Sequence, residues 1–239
     1  MGNIITSIVK KVQQLRSKNI IKKLEKNNKI IIDDNILGNL KLDVRGINNV
    51  ISLTNISIPS TKNGKIMYIF VYGNDNEIII DNISINSKLK IRIGQNHKNF
   101  GEVNFSKFRI GQNTSIEDMN YYTYNSNSYC TIGERCMLSN EITFYNTDAH
   151  PVMDKDSLKV INKVKGISIG NHCWIGQKAS ILKNTVIPND CIIGYGAVVS
   201  GTNKEAHSAY AGNPAKCIKT GITWDSNGRK NGYIENAID

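Results

Sequence analysis

Several things are missing from these 239 residues, and each absence removes a class of explanation. There is no Cys-x-x-Cys pair, and the cysteine count is odd at five. That argues against a disulfide framework and against a cysteine-based zinc site. Apolar runs stop far short of the roughly 20 residues that cross a bilayer, and the N-terminus lacks the apolar core and small-residue cleavage site of a secretory signal. The expected location is therefore the cytoplasm. The opening MGNIIT fits the loose myristoylation pattern, but that pattern is short and applies only in eukaryotes. Nor is there an aromatic stacking ladder or a recognised nucleic-acid motif, so no nucleic-acid partner is expected. Acidic residues are in deficit: 30 Lys and Arg face 20 Asp and Glu, a formal charge of +10. Such an excess favours an anionic partner without choosing among them. Part of it is concentrated in the first 30 positions.

What is present is a repeat. From residue 169 the chain divides without a gap into IGNHCW, IGQKAS, ILKNTV, IPNDCI and IGYGAV, followed by Val199. Every first position is aliphatic (Ile169, Ile175, Ile181, Ile187, Ile193, Val199), and every fifth is small (Cys173, Ala179, Thr185, Cys191, Ala197). A helix repeats near 3.6 and a two-faced strand near 2, so neither gives a period of six. Short flat strands joined by tight corners do, with the aliphatic filling the interior and the small residue letting the corner close. Cys136, Cys173 and Cys191 fall on that small position and read as buried packing residues.

Three hexads make a coil of 18 residues, the distance from Ile175 to Ile193. Upstream, Ile93 to Ile110 is 17, Ile110 to Ile132 is 22 and Ile132 to Ile169 is 37. The first two read as single coils with corner adjustments. The third is two coil lengths, holding either a degenerate coil or a loop thrown out near residues 145–166. His150 lies in it, within FYNTDAHPVMDKD.

The expected organisation has four parts. Residues 1–29 form a basic amphipathic helix, with Ile4, Ile8, Val12 and Leu15 at helical spacing. Residues 30–92 are an irregular strand-rich part with Asn at the corners, read as imperfect early coils. Residues 93–205 are the regular solenoid with its loop, and 206–239 are an exit segment and tail. The helix could cap the solenoid's open end, pack on a neighbouring subunit or make peripheral contact with a membrane.

The hexads from Ile169 to Val199, followed by AYAGNPAKCIKTG at 209–221, resemble the hexapeptide-repeat acyltransferases. Within them, SNEITFYNTDAHPV followed by NHCWIG is most similar to the bacterial O-acetyltransferases that modify capsular polysaccharides, polysialic acid included. The resemblance covers about residues 130–220 strongly and weakens back to 90. It implies an all-β, left-handed parallel β-helix assembled as a homotrimer, with acetyl-CoA between neighbouring subunits and a carbohydrate acceptor. It also implies a catalytic histidine in the motif Asp148-Ala149-His150-Pro151, and a tryptophan, here Trp174, lining the acetyl and acceptor site.

The chemistry agrees with those residue types. Acetyl transfer to a sugar hydroxyl requires removal of a proton too weakly acidic to leave unaided at neutral pH, and an imidazole titrating near pH 6.5 suits that task. His150 takes that role. The oxyanion needs a donor, either a backbone N–H of an adjacent coil or the Trp174 indole N–H. Asp148, two residues before the histidine, either orients the imidazole or shapes the turn before Pro151. For the cofactor, backbone groups at Gly176, Gly194 and Ala197 are candidates to contact the pantetheine arm. Lys183, Lys204 and Lys216 are candidates for the phosphates, and Pro214 belongs to the Gly-Asn-Pro-Ala-Lys exit. His97, His172 and His207 read as structural.

Three rivals remain open. Zinc catalysis of the carbonic-anhydrase kind needs converging histidines, and His97, His150, His172 and His207 offer no close pair, so no metal is expected. A scaffold that binds an anionic surface explains the charge but not the inserted histidine. Within the enzyme reading, an N-acetyltransferase acting on an amino-sugar nucleotide, or an antibiotic-modifying enzyme, is the alternative to O-acetylation.

Overall fold

The computed structural model describes residues 21–25, 27–58, 67–95, 101–202 and 204–227. They wind into a three-sided prism of parallel strands. One face stacks seven strands: Lys29–Ile32, Val50–Thr54, Glu77–Asp81, Lys107–Ile110, Tyr129–Ile132, Gly166–Ile169 and Val186–Ile187. The second face begins with the first halves of Ser84–Ile93 and Ser115–Thr123. It continues through Met137–Leu138, Trp174–Ile175, Ile192–Ile193 and Ser208–Ala211. The third runs from Ile21–Leu24 through Leu40–Arg45, Met67–Tyr72 and the second halves of the same two long strands. It ends with Ile142–Tyr145, Ser180–Leu182 and Val198–Val199. Lys216–Thr220 folds back antiparallel on Ser208–Ala211.

The period of six maps onto this prism one face per hexad. Ile169 pairs with Ile187, Ile175 with Ile193 and Ile181 with Val199, each 18 residues on. All six are buried, and so are the small residues Cys173, Ala179, Thr185, Cys191 and Ala197. At the corner after the first face, Cys173 N–H points at Cys136 Sγ at 3.4 Å, and Cys173 Sγ lies 3.0 Å from Pro188 O. Burial raises the Cys130 and Cys191 thiols, and contact with Cys136 together with burial raises Cys173. These cysteines are packing residues.

Three expectations change. The described residues of 30–92 are parallel coils continuous with the rest, from Ile21 onward, and the strand Ser84–Ile93 ends one residue past the boundary drawn at 92/93. The early coils hide from a six-residue search because their corners hold extra residues. Those corners are tied by asparagine: the Asn28 Oδ1, Asn49 Oδ1 and Asn76 Oδ1 atoms accept from the backbone N–H of Asn49, Asn76 and Ser106 in turn. These amides, buried at Asn49 and Asn76, thus satisfy the backbone groups that strands cannot. Second, Ile93 and Ile110 are not one coil apart. Ile93 lies on the third face opposite Thr123, whereas Ile110 lies on the first face between Ile80 and Ile132.

Third, the expected helix over 1–29 falls mostly outside the described residues; its described end, Ile21–Leu24, is a strand paired with Leu42–Val44. Alternating apolar residues over 40–45 offer that strand a partner, and Ile4, Ile8, Val12 and Leu15 lie outside the described residues. Among the described residues, no helix is long and apolar enough to cross a membrane.

Candidate active site

Between Tyr145 and Gly166 the chain leaves the prism. Tyr129–Ile132 pairs directly with Gly166–Ile169 although 37 residues separate the register partners, so the intervening excess is an arm and not a degenerate coil. The arm closes on itself through Met153 opposite Val160 and a turn in which Asp154 Oδ1 accepts from Ser157 N–H at 2.8 Å and from Ser157 Oγ–H at 2.7 Å. Those bonds hold the Asp154 carboxyl below its ordinary range. Its apolar side chains Val152, Met153, Leu158, Val160 and Ile161 are exposed.

At the base of the arm, Ala149 adopts φ +63°, which turns the chain sharply between Asp148 and His150. His150 N–H donates to Asp148 O at 2.7 Å, and His150 O accepts from Asn162 Nδ2 at 2.9 Å. Asp148 Oδ2 accepts from Asn162 Nδ2 at 2.7 Å and from Lys183 Nζ at 2.9 Å. Asp148 is therefore the clamp that ties both ends of the arm to the next coil. His150 is exposed and lines a cleft of about 280 Å³ with Asn125, Asp148, Pro151, Asn162 and Lys163.

Lys183 takes part in that clamp. Its ammonium, on a mostly buried side chain, is neutralised by Asp148 and also donates to Asn162 O at 3.3 Å. At the three positions expected to contact the pantetheine arm, the backbone N–H groups bond within the coils: Gly176 N–H to Ile193 O, Gly194 N–H to Tyr210 O and Ala197 N–H to Gly194 O. Gly176 is glycine for a packing reason, since a Cβ there would lie 2.6 Å from Ile193 O.

Lys204 and Lys216 do come together. They line a cleft of about 490 Å³ with Ser200, Thr202, Tyr210 and Cys217 at the end of the prism. Lys204 Nζ donates to Ser200 O and Gly201 O, each at 2.7 Å, and burial lowers its pKa. Pro214 sits in the exposed turn before Lys216, in a cis peptide after Asn213.

Trp174 stands at a different corner from His150. It opens a strand of the second face, whereas the arm leaves from the end of the third. Its ring is partly exposed, and its indole N–H points at Ser139 Oγ at 3.4 Å. Sequence reasoning missed its neighbour, Trp224. That ring stacks on His172 at 4.5 Å and 9°, donates its N–H to His172 O at 2.8 Å and lies 6.1 Å from Trp174. His172 is held from behind by Asp190 Oδ1, 2.6 Å from Nδ1. The available signal was rarity: the chain has two tryptophans, and the fold brings both together. His207 is exposed at the exit, and His97 lies outside the described residues. Among the described residues, no cluster of three His, Cys, Asp or Glu could hold a metal.

Comparison with known proteins follows the same lines. Residues 166–201 match the bacterial transferase hexapeptide family of six repeats. A polysialic acid O-acetyltransferase of Neisseria meningitidis is 31% identical over 199 residues, 78% of this chain and 88% of the relative. Another, from Escherichia coli O1:K1 / APEC, is 32% identical over 137 residues, covering 56% of this chain; the match spans less than half of that relative, 44%. The crystal structure of the polySia-specific acetyltransferase NeuO superposes with a TM-score of 0.66 at 25% identity, over 88% of this chain and 94% of that one. The polysialic acid O-acetyltransferase OatWY shares the fold, with a TM-score of 0.59 at 22% identity over 92% and 95%. The repeat, the prism and these likenesses agree: the chain belongs to the hexapeptide-repeat acetyltransferases, the left-handed parallel β-helix family that includes the polysialic acid O-acetyltransferases.

Proposed function

We propose that the protein transfers an acetyl group from acetyl-CoA to a hydroxyl of an acidic, sialic-acid-containing surface polysaccharide. The observation that carries this reading is the clamped arm. A prism that is otherwise regular interrupts itself to hold one exposed histidine over a cleft, and fixes the arm's base with Asp148, Asn162 and Lys183. The relatives' names favour an oxygen acceptor over the amine of the amino-sugar alternative.

In this reading His150 takes the proton of the acceptor hydroxyl as its oxygen attacks the thioester carbonyl carbon. The carbon–sulfur bond then breaks, and the imidazolium returns the proton to the leaving thiolate. Positioning such a base is worth about 10² to 10⁴ in rate. Lys204 and Lys216, converging on one cleft with the Thr202 hydroxyl, fit the phosphates of the cofactor. His150 and Trp174 serve one centre only if a neighbouring subunit brings its Trp174 corner to this subunit's arm, which the homotrimer of the resemblance supplies. The protein acts in the cytoplasm, and its basic N-terminal residues draw it to the inner membrane face.

The test is release of free coenzyme A from acetyl-CoA in the presence of acidic and neutral oligosaccharides. Acceptor-dependent release with acidic oligosaccharides, reduced about 10² to 10⁴-fold in His150→Ala, supports the reading. Equal release by both proteins, or release independent of acceptor, overturns it.

A further inference from the structure

The third face carries a column of side chains that packing of the prism does not require. Asp43, Phe70, Arg92, Tyr122, Tyr145 and Leu182 are successive register partners on six neighbouring strands. Their neighbours along each strand alternate into the core, so this column faces outward. With about 4.8 Å between strands, it extends for about 24 Å. Beside it runs a second column, Lys41, Tyr68, Lys90 and Asn120.

Aromatic and basic groups interleave along this face. Arg45 and Arg92 stand 5.8 and 5.4 Å from the Phe70 ring centre, Lys90 stands 5.5 Å from that of Tyr122, and the Tyr122 and Tyr145 rings are 6.1 Å apart. Between the lower strands lies a cleft of about 270 Å³ lined by Lys41, Asp43, Tyr68, Phe70, Lys90 and Arg92. Asp43 is the one acid in that lining, and Arg45 already engages both its oxygens at 2.9 and 3.1 Å. Arg92 Nε is buried and finds no hydrogen-bond partner among the described residues. The guanidinium also bonds the Tyr124 side chain.

The upper end of the column fixes its use. Tyr145 and Leu182 share a second cleft with Thr147, Asp148 and Lys183, the base of the histidine arm. We infer that the third face is a track for an extended acidic polysaccharide, which enters over the N-terminal coils and is led along the strands to the arm. Its carboxylates meet Lys41, Lys90 and Arg92, and its ring faces lie on Phe70, Tyr122 and Tyr145. The inference rests on the acceptor proposed above and adds where the bulk of that acceptor binds. A two-fold pairing of this face with its own copy would set Lys41, Lys90 and Arg92 against their counterparts.

The experiment compares the native protein with Lys90→Gln/Arg92→Gln, and with Lys41→Gln as a second variant of lower folding risk. Each is titrated calorimetrically with a sialic acid dimer and with a long sialic acid polymer, and acetyl transfer to both is followed. The expected result is polymer affinity weakened about tenfold or more in the double variant, as for loss of a charged hydrogen bond. Transfer to the dimer and the KM for acetyl-CoA stay unchanged. Unchanged polymer affinity overturns the track, as does an equal loss for dimer and polymer. A change of oligomeric state by light scattering also overturns it, by making this face a subunit contact. The titrations need no turnover. A native protein that binds polymer through these residues yet transfers no acetyl group would sink the proposed reaction and leave the track standing.

Discussion

Asp148 Oδ2 accepts from Lys183 Nζ at 2.9 Å and from Asn162 Nδ2 at 2.7 Å, so one carboxylate oxygen holds the two ends of the arm against the coil above. The Asp148 side chain is about one-third exposed, and solvent screens the pair. Lys183→Met should therefore cost about 1 kcal/mol or less in local closure and leave the melting temperature of the prism almost unchanged. Hydrogen exchange of the arm amides is the measurement: they should exchange several-fold faster while those of Ile167 and Ile181 do not. Equal acceleration in arm and prism would refute the clamp.

Trp224 covers His172 and crowds Trp174. Trp224→Ala should destabilise the exit segment by about 1 kcal/mol, in keeping with an aromatic pair. It should also leave Trp174 as the single emitter, with its fluorescence shifted to the red by exposure to water. A spectrum unshifted relative to Trp224→Phe would show that the tail does not shield Trp174.

The arm's tip should respond to acid with a definite sign. Asp154 is held below the usual carboxyl pKa by its bonds to Ser157 N–H and Oγ–H, so its contribution is present above the unfolded value of about 3.9. That contribution is lost as pH falls through the lower folded value. Protection of the Ser157 amide should thus be flat at neutral pH and collapse only below about pH 4. Asp154→Asn should weaken that protection at neutral pH and abolish the acid step.

Core and site should separate cleanly. Ile181 is fully buried between Phe144 and Val199, so Ile181→Ala should cost about 2 to 5 kcal/mol, read in chemical denaturation. His150→Ala, on an exposed loop, should change stability by no more than about 0.5 kcal/mol. A large loss of stability in His150→Ala would mean that its effect on turnover says nothing about catalysis.

How much of this could be read from the chain follows from where its regularity lies. Ile169 to Val199 could be placed on three faces from spacing alone, because every corner there closes with the same number of residues. The coils before Ile93 could not, because Asn49 and Asn76 bridge longer corners with side-chain amides, and that bonding has no fixed period. His150 was legible as the exception to a rule. The pairing of Lys183 with Asp148 was not legible because a lysine's partner is a matter of three dimensions, and Trp224 was overlooked because it follows the end of every repeat.

One consequence of the pairing of Tyr129–Ile132 with Gly166–Ile169 reaches beyond this chain. Because those strands meet as if the arm were absent, its length and content are free of the register that holds the prism together. The arm is a cassette: a segment of different size can be spliced between Asp148 and Asn162 with every coil above and below keeping its partners. Change in what such a protein recognises can then proceed by exchange at one site, without a new fold having to be found.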